Sequence, residues 1–160
     1  MTAQEYAVRV KADLGETWLP QIYRERVRQG RTRAYHFEPL PEKPRVEIQH
    51  TLLGVELRAG RKRLLCPDLA TARYLSVFAR AGCQHVAVPY DITRISQLAD
   101  ELESSWHRMF LLAEHQAAGE SDAFKKRIGR LLVKVIRAEI VEAGAGASVP
   151  EFRQSTKQRL

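Results

Sequence analysis

From Arg94 to Ala143 the sequence holds two helix-length amphipathic stripes, interrupted only by "AAGES", Ala117 to Ser121. Ile95, Leu98, Leu102, Trp106, Met109 and Ala113 recur at steps of three and four. Phe124, Ile128, Leu131, Leu132, Val135 and Ile140 do the same after the break. Neither stripe can be left in water, and so short a connection has room only for a reversal. The chain is therefore expected to fold around an antiparallel pair of long C-terminal helices, and the rest must supply the surface they pack on.

That surface includes strands. In "RVEIQHTLLGVELRAGRKRLLC", Val46, Ile48, His50 and Leu52 alternate on even positions, then Leu53, Val55 and Leu57 on odd ones. A change of parity would turn every later side chain to the opposite face, so a bulge or break is expected near Leu52–Gly54. Ala59-Gly60 reads as a hairpin turn that returns the chain through Arg61 to Cys66. Ala34 to Phe37 can form a short strand, and Pro39, Pro41 and Pro44 turn the next stretch into an extended connector.

Helices are expected at the N-terminus as well. Thr2 with Glu5 fits a capping box ahead of Tyr6, Val10 and Leu14, and Gly15 is a natural stop. Trp18 to Gln29 reads as a second helix, with Pro20 in its first turn and Gly30 at its end. "LLCPDLATARYLSVFARAGCQHVAVPYD" then reads as strand, helix, strand. Its helix is apolar nearly all round and should be buried, between an Asp68 N-cap and a Gly82 stop. The expected class is α/β in the α+β sense. A small mixed sheet carries a hairpin and one β-α-β crossover, flanked by N-terminal helices and the two long C-terminal ones. Residues 1–143 are expected to form one globular domain and 144–160 a flexible basic tail, with Arg153, Lys157 and Arg159.

At 160 residues the chain can bury a core without staples. No apolar run reaches the length of a membrane span, and Glu5, Arg9, Lys11 and Asp13 do not suit a signal peptide. A cytoplasmic protein with no membrane contact is expected. Cys66 and Cys83 would lie at opposite ends of one helix, roughly 20 Å apart, so two buried reduced thiols are expected rather than a disulfide or a zinc site.

A strand–helix–strand unit often carries a nucleotide. Here the first turn is Cys66-Pro67-Asp68, with no glycine to admit a phosphate, one missing N–H donor and a carboxylate where the anion would sit. A mononucleotide site is not expected. Asp68 and Asp91 read as helix caps; with Tyr90 they would otherwise suit a divalent cation, if the two strands were neighbours. Of the five histidines none pairs at the spacing of helical zinc ligands. His50 falls on the inward parity of its strand, and Glu103 with His107, four apart on one helix, reads as a surface pair. There is no nucleophile elbow, Walker loop or dinucleotide fingerprint. No catalytic residue, cofactor or metal is assigned.

The order of elements across about residues 18–91 is similar to the core of restriction-endonuclease-like nucleases. That resemblance implies an acidic metal ligand on one strand and an acid-x-lysine on the next. Glu56 could stand at the first position; the following strand offers Lys62 but no acid two residues before it.

Charge points elsewhere. The net charge is +7, and it lies in the flanks: residues 1–63 carry a net +5, 64–119 a net −2 and 120–160 a net +4. Arg24, Arg28, Arg31 and Arg33 lie in "YRERVRQGRTR"; Arg58, Arg61, Lys62 and Arg63 surround the hairpin; Lys126 and Arg130 belong to the last helix, with Lys125, Lys134 and Arg137 nearby. Such faces are often only solvated. If they converge, they form a surface for the phosphate backbone of a nucleic acid. No stacking platform for single strands is evident, so binding should be led by the backbone. The expected function is a non-enzymatic nucleic-acid-binding module. The alternatives are an adaptor or assembly subunit docking on an acidic protein partner, and a degenerate Mg²⁺-dependent nuclease-like domain.

Overall fold

The computed structural model describes residues 1–36 and 45–145. The proline-rich connector and residues 146–160 of the expected tail lie outside the described residues. In chain order the elements are α1 (Ala3–Leu14), a 3-10 turn (Gly15–Thr17), α2 (Leu19–Ile22) widening into a π-helical turn (Tyr23–Val27), and β1 (Thr32–His36). Then come β2 (Val46–Thr51), β3 (Gly54–Ala59), β4 (Lys62–Cys66), α3 (Leu69–Arg80), β5 (His85–Pro89), α4 (Ile92–Gln116) and α5 (Asp122–Ala143). The α+β class and the helical flanks at both ends are as expected.

The local signals act where they stand. The Glu5 N–H donates to Thr2 Oγ1 at 3.1 Å and the Thr2 N–H to Glu5 Oε1 at 3.3 Å, a reciprocal capping box. Asp68 caps α3, accepting from the Thr71 N–H at 2.7 Å, and Gly82 leaves that helix with φ +76°, a conformation that favours glycine. Asp91 caps α4 through the Thr93 N–H at 3.0 Å and its hydroxyl at 2.7 Å. These bonds from Thr93, with a lesser contribution from Arg94, hold the Asp91 carboxyl below its ordinary range against the opposing effect of burial.

Strand pairing differs from the expectation. The expected mixed sheet is two antiparallel sheets: a meander β2-β3-β4 and a separate pair β1-β5. The parity change is resolved by a two-residue turn at Leu52-Leu53, with Thr51 opposite Gly54, so what could have been one bent strand is a hairpin. A second tight turn, at Gly60-Arg61, sets Ala59 opposite Lys62. Two tight turns in succession pair each strand with its neighbour in sequence. β5 is left to β1, from Thr32 opposite Pro89 to His36 opposite His85. β4 and β5 therefore lie in different sheets, and α3 is not a parallel crossover.

The free side of β5 is closed by tyrosines. The Ala87 N–H donates to the Tyr23 hydroxyl at 2.9 Å, and the Tyr74 hydroxyl donates to Ala87 O at 2.7 Å. Ala87 is thus a non-hydrogen-bonded partner of Ala34. The Tyr23 hydroxyl passes its own proton to Gly144 O at 2.6 Å, which ties the π-turn and β5 to the end of α5. Both tyrosine rings are fully buried and lie 5.4 Å and 5.1 Å from Phe78.

α3 is the central helix, with the meander on one side and α4 on the other. Its all-round apolar character matches that place: Ala72, Tyr74, Leu75, Val77, Phe78 and Ala79 have no exposed surface. The meander turns Ile48, Leu57, Leu64 and Cys66 towards it. Burial fades along the β2–β3 hairpin. His50, expected inside, is exposed beside a Leu52-Leu53 tip that lies fully in solvent. α1 packs against both α4 and α5. Arg73 bridges α3 to α4, 2.5 Å from both Asp100 and Glu103, so Glu103 is engaged there rather than with His107. Among the described residues no helix is long and apolar enough to cross a membrane.

Candidate functional site

Most of the arginines that stand out in the sequence are already engaged. Arg24 lies 3.2 Å from Glu139 and donates to Gln21 Oε1 at 2.7 Å. Glu139 also accepts from Lys11 Nζ at 2.6 Å and from the Trp18 indole at 3.0 Å. Burial pushes the Glu139 carboxyl up, but the donors Lys11, Trp18 and Arg24 outweigh it and hold it below the usual carboxylate value. Arg28 Nε donates to Ala143 O at 3.0 Å, a cation on the last carbonyls of α5. Arg31 lies over the Tyr90 ring at 5.8 Å and Arg33 over Tyr35 at 5.1 Å. Arg33 Nε is buried with no hydrogen-bond partner among the described residues.

On the outer face of the meander Arg58 lies 2.9 Å and Arg63 3.9 Å from Glu56. The register sets Glu56 opposite Leu65 and Lys62 opposite Ala59, so Glu56 and Lys62 project from opposite faces. The nuclease-like arrangement, which needs an acid and a lysine together, is not what this sheet presents. Asp68 and Asp91 are both helix caps and belong to separate sheet ends. Among the described residues no three His, Cys, Asp or Glu side chains gather as a metal site would require. Arg61 and Lys62 remain exposed at the second hairpin turn.

A row of unopposed charge lies on α5. Helical periodicity sends Ile128, Leu132, Ile136 and Ile140 into the core and sets Lys126, Arg130 and Lys134 in a row on another face. Successive members are four residues apart, about 6 Å along the axis. Lys125 pairs with Glu114 at 2.8 Å and Gly129 lies beside Phe110, so α4 and α5 run antiparallel with a fixed register. Between them lies a groove of about 640 Å³, lined on the α5 side by this row with Val133 and Arg137, and on the other side by Trp106, Phe110 and Ala113. Arg80, from the last turn of α3, reaches one end; Glu114, Asp122 and Lys125 mark the other.

The aromatic wall is shaped by α5. Trp106 and Phe110 meet edge to face, centroids 5.2 Å apart and planes at 75°. A Cβ on Gly129 would stand 3.1 Å from Phe110 Cε1, so the missing side chain is what lets that ring lie against the helix. Arg137 is partly committed, its Nε donating to Ala81 O at 2.9 Å where α3 ends. The side chains of Arg80, Lys126, Arg130 and Lys134 make no hydrogen bond or ion pair with the described residues.

Of the ten residues the sequence singles out, the structure brings two, Lys126 and Arg130, into this groove. Arg24 and Arg28 are bound near the C-terminal end of α5, Arg31 and Arg33 lie at the β1-β5 pair, and Arg58, Arg61, Lys62 and Arg63 lie on the meander. Arg80, Trp106 and Phe110 are added by the structure. The spacing of Trp106 and Phe110, four apart on one helix, and of Lys126, Arg130 and Lys134 on the next, was the available signal. Only the register of the two helices brings these side chains to one groove. Comparison with known proteins gives no match to a family model, to a curated protein or to a solved structure.

Proposed function

We propose that this chain is a non-enzymatic nucleic-acid-binding module whose phosphate-contacting surface is the cationic wall of the α4–α5 groove. The observation that carries this reading is the row Lys126, Arg130 and Lys134 with Arg80, four cations facing one cleft without a carboxylate partner among the described residues. Charges left unopposed beside apolar walls attract a polyanion more strongly than the same charges spread over an open surface.

Four phosphate contacts imply that log K falls with log salt at a slope of about −3 for a single strand. Fluorescence anisotropy with labelled RNA and DNA across a salt series measures that slope. Absence of binding at about 50 mM salt would end the reading.

A second reading, docking on an acidic protein partner, is favoured by the apolar part of the groove, where Phe110, Ala113 and Val133 lie among the cations. Association that resists nuclease treatment and is competed by an acidic peptide would support it.

A further inference from the structure

Resting on the nucleic-acid reading, the geometry points to a single strand as the ligand, with an unpaired base stacked in the groove on the Trp106–Phe110 wall. The two kinds of contact are segregated. The cation row belongs to α5 and both rings to α4, so a strand lying between the helices meets charge on one side and, on the other, two rings set edge to face, of which a base can stack on one at a time. A nucleotide has that division, a phosphodiester along one edge and a flat base on the other. The roughly 6 Å steps of the row are comparable to the separation of successive phosphates in an extended strand.

A duplex fits poorly. Its bases are stacked inside, and the rings would then touch nothing that they recognise. An acidic amphipathic helix would carry carboxylates along both edges of its apolar face. Only one wall here is cationic, and the α4 side contributes Glu114. Phe110 is 37% exposed, enough to offer a ring face, and the groove volume lies in the range of sites that enclose a small ligand.

The groove contains its own reporter. The chain has two tryptophans; Trp18 is 2% exposed and bonded to Glu139, so a change in emission on stacking comes from Trp106. The experiment titrates the full chain with an oligothymidylate of about 12 nucleotides, its duplex with oligoadenylate, inorganic polyphosphate and an oligoglutamate peptide. Tryptophan emission and anisotropy are followed together.

The expected result is quenching by the single strand and at least tenfold weaker binding of the duplex and of polyphosphate. Trp106→Phe should abolish the quench. Phe110→Leu, which keeps an apolar side chain, should lower single-strand affinity about tenfold with the salt slope unchanged. Arg130→Gln should reduce the slope by about 0.7. Equal binding of duplex or polyphosphate, without quenching, would overturn base stacking and leave the polyanion reading standing. Tightest binding of the peptide would make the groove a protein dock. Binding of no anion would overturn both. The wild-type quench and the ligand ranking need no variant, so a variant that fails to fold does not spare the inference.

Discussion

Replacing Tyr23 by Phe removes one oxygen from the centre of the molecule and tests how the free side of β5 is held. The Tyr23 ring is fully buried, and its hydroxyl accepts from the Ala87 N–H at 2.9 Å while donating to Gly144 O at 2.6 Å. Phenylalanine fills the same space, so no cavity forms and the loss is one of hydrogen bonding. The Ala87 N–H is left without a partner in the interior, at a cost of ~1–3 kcal/mol. Gly144 is only half-buried and its carbonyl can turn to water, so that bond contributes about 0.5–1 kcal/mol more. The total is about 1.5–4 kcal/mol, a large part of the ~5–15 kcal/mol that holds such a protein folded.

Tyr74→Phe is the matched control. It removes the donor to Ala87 O and leaves an orphaned carbonyl, which is tolerated better than an orphaned N–H, at about 1 kcal/mol. Urea unfolding followed by far-UV circular dichroism should show both midpoints lowered at unchanged slope, with Tyr23→Phe the larger loss. In a thermal scan the Tyr23 variant should melt roughly 3–16 °C below wild type. A loss under about 0.5 kcal/mol for Tyr23→Phe, or a larger loss for Tyr74→Phe, would refute the picture of β5 as a strand edged by two hydroxyls.

Three further predictions rest on separate observations. Asp68→Ala removes the acceptor for the Thr71 N–H and should cost about 0.5–2 kcal/mol in the same urea assay, with Asp68→Ser restoring most of it. Cys66 and Cys83 are buried, and burial raises their thiols to about 11 and about 12, with Asp68 adding to the rise at Cys66. Neither should react with a disulfide reagent at pH 8 until urea is added, whereupon both should, and rapid labelling of the native protein would contradict that burial. Glu139 has a folded-state carboxyl below its ordinary 4.5, so it favours the folded state above that pH. The contribution is lost as pH falls through the lower folded value. Glu139→Gln should therefore destabilise the protein at neutral pH and flatten the acid limb of its stability curve, and an unchanged acid limb would count against the Lys11–Trp18–Arg24 cluster around it.

The sequence makes the helices legible because their signals are local. Thr2 with Glu5, Asp68, Gly82 and the break at Ala117–Ser121 each act within one turn of where they stand. Strand pairing is not local. Alternation tells which face a residue occupies but not which strand lies beside it, and Leu52-Leu53 has none of the residues that announce a tight turn. Only Gly54, at φ +130°, hints that the chain reverses there. The same limit governs charge. The arginine-rich segment reads as a free basic face because Glu139, which engages Arg24, is 115 residues away along the chain. The aromatic wall reads as core because Trp106 continues a stripe that is otherwise buried; its position at the groove comes from packing between α4 and α5.

The central claim is that α5, rather than the arginine-rich segment or the hairpin, carries the recognition surface. The most direct measurement compares two double variants, Lys126→Glu with Arg130→Glu and Arg61→Glu with Lys62→Glu, in one anisotropy titration of a single-stranded oligonucleotide at fixed salt. All four side chains are exposed, so neither pair should disturb folding. Recognition by α5 predicts at least a hundredfold loss for the α5 pair, on the order of 1.4 kcal/mol or more per reversed charge, and only a few-fold loss for the hairpin pair. Equal losses, or a larger loss at the hairpin, would contradict it.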